Sequence, residues 1–179
     1  SIKSNKIRYD RNLDLINSLG DTLIIVKNIY KIQTVSINYD QKNQNIYSGE
    51  DVNMEDNENN YYSLKDGFRF DLTREIVKSK KSYILDSNDN KYIFDDLAIN
   101  LKTNEIIGKE IKIEFEDSFF GNKNNDPILK GRGIYSNDEN LKVYKAVFST
   151  CNIENKRCRG WEINSNEFNH DKTKKNIWI

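Results

Sequence analysis

The sequence is poor in the residues that build catalytic and metal centres. Its 179 residues include one histidine, one proline and two cysteines. The longest aliphatic run, Leu23 to Val26, is strand-sized and far below the roughly 18 apolar residues of a membrane helix. Basic and acidic residues balance at 28 each, so charge gives no reason to expect nucleic acid as a partner.

The small number of histidines and cysteines limits which catalytic and metal sites the chain could form. Any Ser-His-Asp or Cys-His centre would have to use His170, whose neighbours Asp171 and Lys172 are typical of a turn, and we predict an ordinary surface-turn residue there. Cys151, Cys158 and His170 make a poor set of zinc ligands. The stretch "GNKNNDPILKG" has the wrong spacing for a phosphate loop. We therefore predict no catalytic residue, no metal site, no cofactor and no enzymatic activity.

The feature that is present is an internal repeat. Four segments align when anchored on Tyr9, Tyr39, Phe70 and Ile99, which stand 30, 31 and 29 residues apart. A weaker copy, "EFNHDKTKKNIWI", carries Phe168 and Asp171. In each unit a strand-like stretch leads into a polar turn and a second strand.

Apolar and polar residues alternate within these units, which is typical of a sheet with one dry face. Val35, Ile37 and Tyr39 are predicted to share one face. Two further sets are predicted in the same way: Phe68, Phe70 and Leu72; Ile111, Ile113 and Phe115. The stretch "EIIGKEIKI" permits two registers, and both stay open.

Helical periodicity is nearly absent, so we predict an all-β fold: a sandwich, jelly roll or solenoid, with the repeat favouring the elongated forms. Residues 1–179 are treated as one domain. The segment "DSFFGNKNNDPILKGRGIY" breaks the repeat, and we expect a long loop or insertion there. Because the chain starts at Ser1 without methionine and ends in mid-pattern, we expect a piece of a longer protein.

Aspartate recurs directly after a strand, at Asp10, Asp40, Asp71 and Asp171. Acids could form a paired-carboxylate glycosidase site. A repeated turn aspartate is better explained by its side chain accepting hydrogen bonds from backbone N–H groups. The dry faces either form only a core or also leave a groove for an acyl chain, whose buried methylenes contribute about 0.8 kcal/mol each.

The repeat units "NYDQKNQNIYSGEDVNM" and "LKTNEIIGKEIKI" resemble the OstA-like units of lipopolysaccharide-transport proteins. The later stretch, with Thr150-Cys151, Cys158, Trp161 to Ile163 and His170-Asp171, resembles the junction between periplasmic domain and barrel in the LptD (OstA) family of lipopolysaccharide-assembly proteins. The resemblance covers essentially the whole chain. The family's Gly-Asn step is only approximated at Gly20-Asp21 and Gly49-Glu50, and is missing at Lys80-Lys81.

The resemblance implies an OstA-like β-jellyroll, a folded "taco" of stacked antiparallel strands at the periplasmic face of a Gram-negative outer membrane. It would accept lipopolysaccharide, chiefly the lipid A acyl chains, from a periplasmic bridge jellyroll by edge-strand pairing. It would pass the lipid to a membrane barrel that also holds a lipoprotein partner. The groove residues would be Ile37, Tyr39, Val52, Met54, Phe68, Phe70, Ile99, Ile111, Ile113, Phe115 and Phe148.

For the two cysteines, in "STCNIENKRCRGWEI", a periplasmic location implies a disulfide. Cys151 and Cys158 would bond to each other, with Trp161 packed beside them as a core residue, or to barrel cysteines outside this chain. Other interpretations remain: a soluble bridge protein of the same line, a β-solenoid adhesin or carbohydrate-processing module, and a structural β module without ligand.

Overall fold

All regular structure is β in the computed structural model, which describes residues 1–116, 127–150, 161–174 and 176–179. The first seven strands are β1 (Ile2–Lys3), β2 (Lys6–Asp10), β3 (Leu15–Val26), β4 (Tyr30–Asp40), β5 (Asn45–Ser48), β6 (Val52–Glu55) and β7 (Tyr61–Asp71). The other seven are β8 (Ile76–Leu85), β9 (Lys91–Asn100), β10 (Glu105–Glu114), β11 (Ile128–Ser136), β12 (Asn140–Ser149), β13 (Glu162–Asp171) and β14 (Asn176–Trp178). The predicted all-β fold is confirmed.

These strands form one antiparallel sheet in which chain neighbours are mostly sheet neighbours. The order runs β1-β3-β4-β5-β7 and then strand by strand to β14, with β2 also paired to β3, and β6 lying between β4 and β7. The expected insertion after residue 116 is wrong for its second half, because residues 128–136 form the full strand β11 between β10 and β12. Residues 117–126 lie outside the described residues.

The long strands bend near their middle, and the inward alternation shifts by one residue at the bend. In β10, Gly108 faces inward before the bend, Ile111 and Ile113 face inward after it, and Glu110 between them has φ 47°. Lys81 in β8 and Lys145 in β12 take the same left-handed conformation, with φ 45° and 51°. The pairing of β10 with β9 and β11 keeps one register on both sides of Glu110, so no residue is inserted there, and the left-handed residue itself changes which side chains face inward. Both registers permitted by "EIIGKEIKI" are therefore used, one in each half of the strand.

The bend folds the sheet into two walls that enclose one apolar core, giving an elongated β-jellyroll. It also explains an error in the sequence prediction. In β4 the inward residues are Ile32 before the bend and Ile37 after it, and Val35 lies between them with 59% of its surface exposed. Strict alternation placed Val35 inside because it could not anticipate the shift.

The turns use aspartate as predicted. Asp71 Oδ1 accepts hydrogen bonds from the backbone N–H groups of Thr73 and Arg74 at 3.0 and 2.9 Å. Asp10, Asp40 and Asp171 accept equivalent bonds in their own turns. These carboxylates thus stabilise the turns that follow them, and those turns lie at the same end of the sheet.

Candidate functional site

The two ends of each bent strand come to the same side of the molecule, so two rows of turns face each other. The first row contains the turns at residues 11–14, 41–44, 72–75, 101–104, 137–139 and 172–174, and the second contains those at 27–29, 56–60 and 86–90. The rows touch where Lys27 Nζ lies 2.5 Å from Glu75 Oε2. We call the gap between the rows the mouth.

A cleft of about 1610 Å³ opens at the mouth and reaches between the two walls. Its apolar lining consists of Ile29, Tyr30, Tyr62, Ile84, Tyr92, Phe94, Ile99, Leu101, Ile106, Phe115, Ile134, Leu141 and Ile177. Its charged rim consists of Asp56, Glu58, Asp86, Asp89, Glu116, Asp138, Lys27, Lys102 and Lys172. The arrangement combines an apolar floor with a polar rim, and carboxylates outnumber lysines on that rim.

Most of the residues predicted to form a groove lie away from this cleft. Ile99 and Phe115 line it. The other nine do not: Tyr39 is partly buried and packs on the core, and Ile37, Val52, Met54, Phe68, Phe70, Ile111, Ile113 and Phe148 are core residues with 0–8% of their surface exposed. Their inward orientation agrees with the alternation pattern, and they belong to the same core cluster as Ile99 and Phe115, but they do not border the cleft.

The second row of turns is stabilised by a motif that the sequence analysis missed, Asp-x-x-x-Asn-x-Tyr. It occurs at Asp56, Asn60 and Tyr62, and again thirty residues later at Asp86, Asn90 and Tyr92. The tyrosine hydroxyls donate to the aspartate Oδ2 atoms at 2.7 and 3.1 Å. Each asparagine Nδ2 donates to the same carboxylate. Repetition of the motif at the repeat period could have revealed it.

The same asparagines connect one turn to the next. Asn60 Oδ1 accepts the backbone N–H of Ser87, and Asn90 Oδ1 accepts that of Glu116, both at 3.1 Å. Burial, reinforced by the neighbouring aspartates, raises the pKa of Tyr62 and of Tyr92 well above the ordinary tyrosine value. Both phenols therefore stay protonated, as a hydrogen-bond donor must. The wall of the cleft on this side is a ladder of fixed turns.

At the far end of the mouth, Lys172 lies in the first row. Its Nζ donates to Ser136 Oγ at 2.9 Å and to the carbonyl of Asn137 at 2.6 Å. Burial lowers the pKa of Lys172, while Asp138 and Asp86 oppose that shift. Asp86 belongs to the second row, so its field on Lys172 acts across the mouth.

His170 is not the surface-turn residue that the sequence indicated. It lies on β13, is partly buried and lines the cleft. The strand continues through His170 and Asp171, and the turn begins at residue 172. Burial, with a smaller contribution from Lys172, lowers the pKa of His170.

In the part of the chain that the structure describes, no group of three or more His, Cys, Asp or Glu side chains could hold a metal ion. The predicted disulfide falls on Cys151 and Cys158, which lie outside the described residues. Trp161 is not a core residue: 52% of its surface is exposed, although its ring lies 5.8 Å from that of Phe148.

Comparison with known proteins leaves the family open. No protein-family model matches the chain, and no curated protein matches it in sequence. Across residues 1–116, 127–150, 161–174 and 176–179, no helix is both long and apolar enough to cross a bilayer.

Proposed function

We propose that this protein is a periplasmic lipopolysaccharide-transport jellyroll of the LptD type, which holds lipid A acyl chains between its walls. It receives lipopolysaccharide from a bridge jellyroll and passes it toward an outer-membrane barrel that holds a lipoprotein partner. The lipid moves and no bond is made or broken. The observation that carries the proposal is the cleft at the mouth, where an apolar floor lies between two walls of a bent sheet.

The size and chemistry of the cleft support an acyl chain. Its floor offers aliphatic and aromatic side chains from strands of both walls, including Ile84, Phe94, Ile106 and Ile134. Each methylene that leaves water there contributes about 0.8 kcal/mol. A chain of many methylenes therefore binds without a specific polar contact, which suits a carrier that must later release its cargo.

On this proposal, we expect the headgroup outside the walls, at the charged rim. Asp56 and Asp86 in the second row would repel phosphate at close range, whereas Lys102 and Lys172 stand in the first row, which also contains Asp138. Because charges more than about 8 Å apart are largely screened at physiological salt, the repulsion acts only near the rim. Phosphates and sugars are thus expected in solvent, on the lysine side of the mouth.

The first edge of the sheet offers a surface for a bridge protein. The stretch "IRYD", residues 7–10, lies in the edge strand β2, where Ile7 and Tyr9 are exposed. The stretch "LIIV", residues 23–26, lies in β3 and is covered in part by β1, through the pairs Ile2 with Ile24 and Lys3 with Leu23. An edge strand with exposed apolar residues is suited to strand addition by a partner jellyroll.

The proposal is tested by equilibrium binding of fluorescent lipopolysaccharide to the whole chain. Unlabelled lipid A should displace the probe, and the free polysaccharide part should not. Absence of binding would indicate a structural module. Displacement by polysaccharide, or its hydrolysis, would indicate a carbohydrate-binding or carbohydrate-processing protein instead.

A further inference from the structure

The mouth is closed at one end by contacts between the two rows of turns. Lys27, in the turn between β3 and β4, pairs with Glu75, in the turn between β7 and β8, at 2.5 Å. Beside this pair the buried Tyr30 directs its hydroxyl at Asn104 Oδ1, 3.5 Å away. The pair Lys27–Glu75 and the pair Tyr30–Asn104 are together called the clasp.

The repeat explains why the clasp forms where it does. Asp14, Gln44, Glu75 and Asn104 occupy equivalent turn positions, with φ of 52°, 52°, 58° and 54°. In the first two units, a tyrosine five residues earlier donates a hydrogen bond to the side chain at this position. Tyr9 donates to Asp14 at 2.7 Å, and Tyr39 donates to Gln44 at 3.1 Å.

The third and fourth units have Phe70 and Ile99 where the first two have tyrosine. Neither side chain carries a hydroxyl, so Glu75 and Asn104 have no such local donor. Their side chains instead contact Lys27 and Tyr30 on the opposite side of the mouth. The loss of two hydroxyls at the anchor position thus converts a local turn contact into a contact between the rows.

The backbone at Lys27 supports a role for its side chain. The turn Val26 to Ile29 is closed by a hydrogen bond from the N–H of Ile29 to the carbonyl of Val26 at 3.0 Å, and Lys27 and Asn28 have φ of 52° and 57°. This is a type I′ turn, whose two central positions favour Asn and Gly. A lysine there is held in a sparsely populated backbone region, and such residues concentrate at functional positions.

We infer that the clasp is a gate that holds the mouth shut at the end nearer the N-terminus and limits lateral access of an acyl chain to the interior. The inference rests on the proposed function for its ligand. The gate itself can be tested without lipid. Because Lys27 is half exposed, its ion pair is weak enough to open, and a partly exposed pair of this kind shifts an equilibrium by about two- to fivefold.

The test measures the distance across the mouth. Spin labels are attached through ketone-bearing residues at the exposed positions Asn28 and Thr73, which leaves Cys151 and Cys158 unchanged. In K27E, pulsed dipolar spectroscopy should show the population at long distance rising about two- to fivefold. The swapped pair K27E/E75K should restore the wild-type distribution. An unchanged distribution in K27E overturns the gate.

A matched control lies within one wall. Lys31 and Glu55 face each other on β4 and β6, with Nζ and Oε2 3.6 Å apart. K31E removes a comparable ion pair without touching the mouth and should leave the distance unchanged. A change of equal size in K31E would mean that charge reversal alone perturbs the sheet, which also overturns the gate.

Access is measured separately, as the rate at which the apolar fluorophore N-phenyl-1-naphthylamine enters the protein. K27E should accelerate uptake by the same factor as it raises the long-distance population, and K27E/E75K should reverse that effect. A mouth that opens without faster uptake refutes the control of access. A mouth that opens in a protein that fails to bind lipopolysaccharide refutes the proposed function and leaves the gate standing.

Discussion

The interior beside the bends and the interior beside the mouth differ in how they are filled. Near the bends, side chains such as Phe68, Ile111 and Leu129 are almost wholly enclosed. Near the mouth, Tyr30, Tyr62 and Tyr92 place hydroxyls among the polar groups of the turns, and a cleft separates the rows. The apolar face thus forms a core along the bends, and at the mouth it borders a cleft with side chains that are themselves largely buried, such as Phe94 and Ile134.

The comparison shows that facing inward and being available to a ligand are separate properties. Within each half of a strand, on either side of the bend, alternation decides which side chains face inward. The distance between the walls decides the second. Substitutions in the two regions should therefore differ in their effects, most strongly for buried side chains beside the bends.

Truncation of a side chain beside a bend should lower the free energy of unfolding the most. Phe68→Ala should lower the free energy of unfolding by about 3–5 kcal/mol, because it removes a buried ring and leaves a cavity. Ile106→Ala, beside the mouth, should cost clearly less, because Ile106 is only partly buried. Urea denaturation followed by circular dichroism measures both, and equal losses would contradict the difference between the regions.

Added volume beside a bend should also be destabilising. A Cβ at Gly131 would lie 2.2 Å from Val143 Cγ1, whereas at Gly133 the nearest atom is 3.7 Å away. Gly131→Ala should therefore cost about 1–3 kcal/mol, as overpacking does, and Gly133→Ala should be nearly neutral. In a double-mutant cycle, Val143→Ala should recover part of the loss. Additive effects would show that the Cβ meets no such contact.

The ladder along the mouth should depend on its aspartates. Asp86→Asn replaces the oxygen that accepts from Tyr92 and Asn90 with an amide that donates, so the free energy of unfolding should fall by about 1–3 kcal/mol. Asp89→Asn, at a turn position with φ 63° that asparagine tolerates, is the matched control and should be nearly neutral. Thermal unfolding measures the stability of both variants, and equal stability would contradict a stabilising role for the Asp86 hydrogen bonds.

The smallest effect concerns pH. Burial lowers the pKa of His170 in the folded protein, so its neutral form is favoured there. The stability from this group is complete above the unfolded histidine value of about 6.5 and is lost as pH falls through the lower folded pKa. His170→Gln should remove that part of the pH dependence. Unfolding curves collected from neutral to mildly acidic pH check this, and identical slopes would refute it.

Much of the fold follows from local patterns in the sequence. Alternation predicted the inward faces of Phe68, Phe70, Ile111 and Ile113, and the recurring aspartates predicted the turns. The bend was not predicted. Its sequence feature is two consecutive polar residues within an alternating strand, such as Lys80-Lys81, and these were interpreted as a repeat step that lacks its glycine. Because the bend brings the two rows of turns together, the mouth between them could not be predicted either.

The cleft residues were harder still to predict. Tyr62 and Tyr92 belong to a motif that recurs after thirty residues, so their shared role could have been found. His170, Lys172 and Ile106 reach the same cleft from distant units. Their proximity depends on the folding of the sheet into two walls, which no local spacing encodes.

The central claim, that acyl chains lie inside the mouth, is tested most directly by two neighbouring residues. Ile106 lines the cleft, whereas Ile107 points outward with 57% of its surface exposed. A photo-crosslinking amino acid is placed at each position in turn and irradiated with purified lipopolysaccharide. The account predicts a covalent adduct at position 106 and none at 107. Adducts at 107 alone, or equally at both, would place the lipid outside the walls and contradict it.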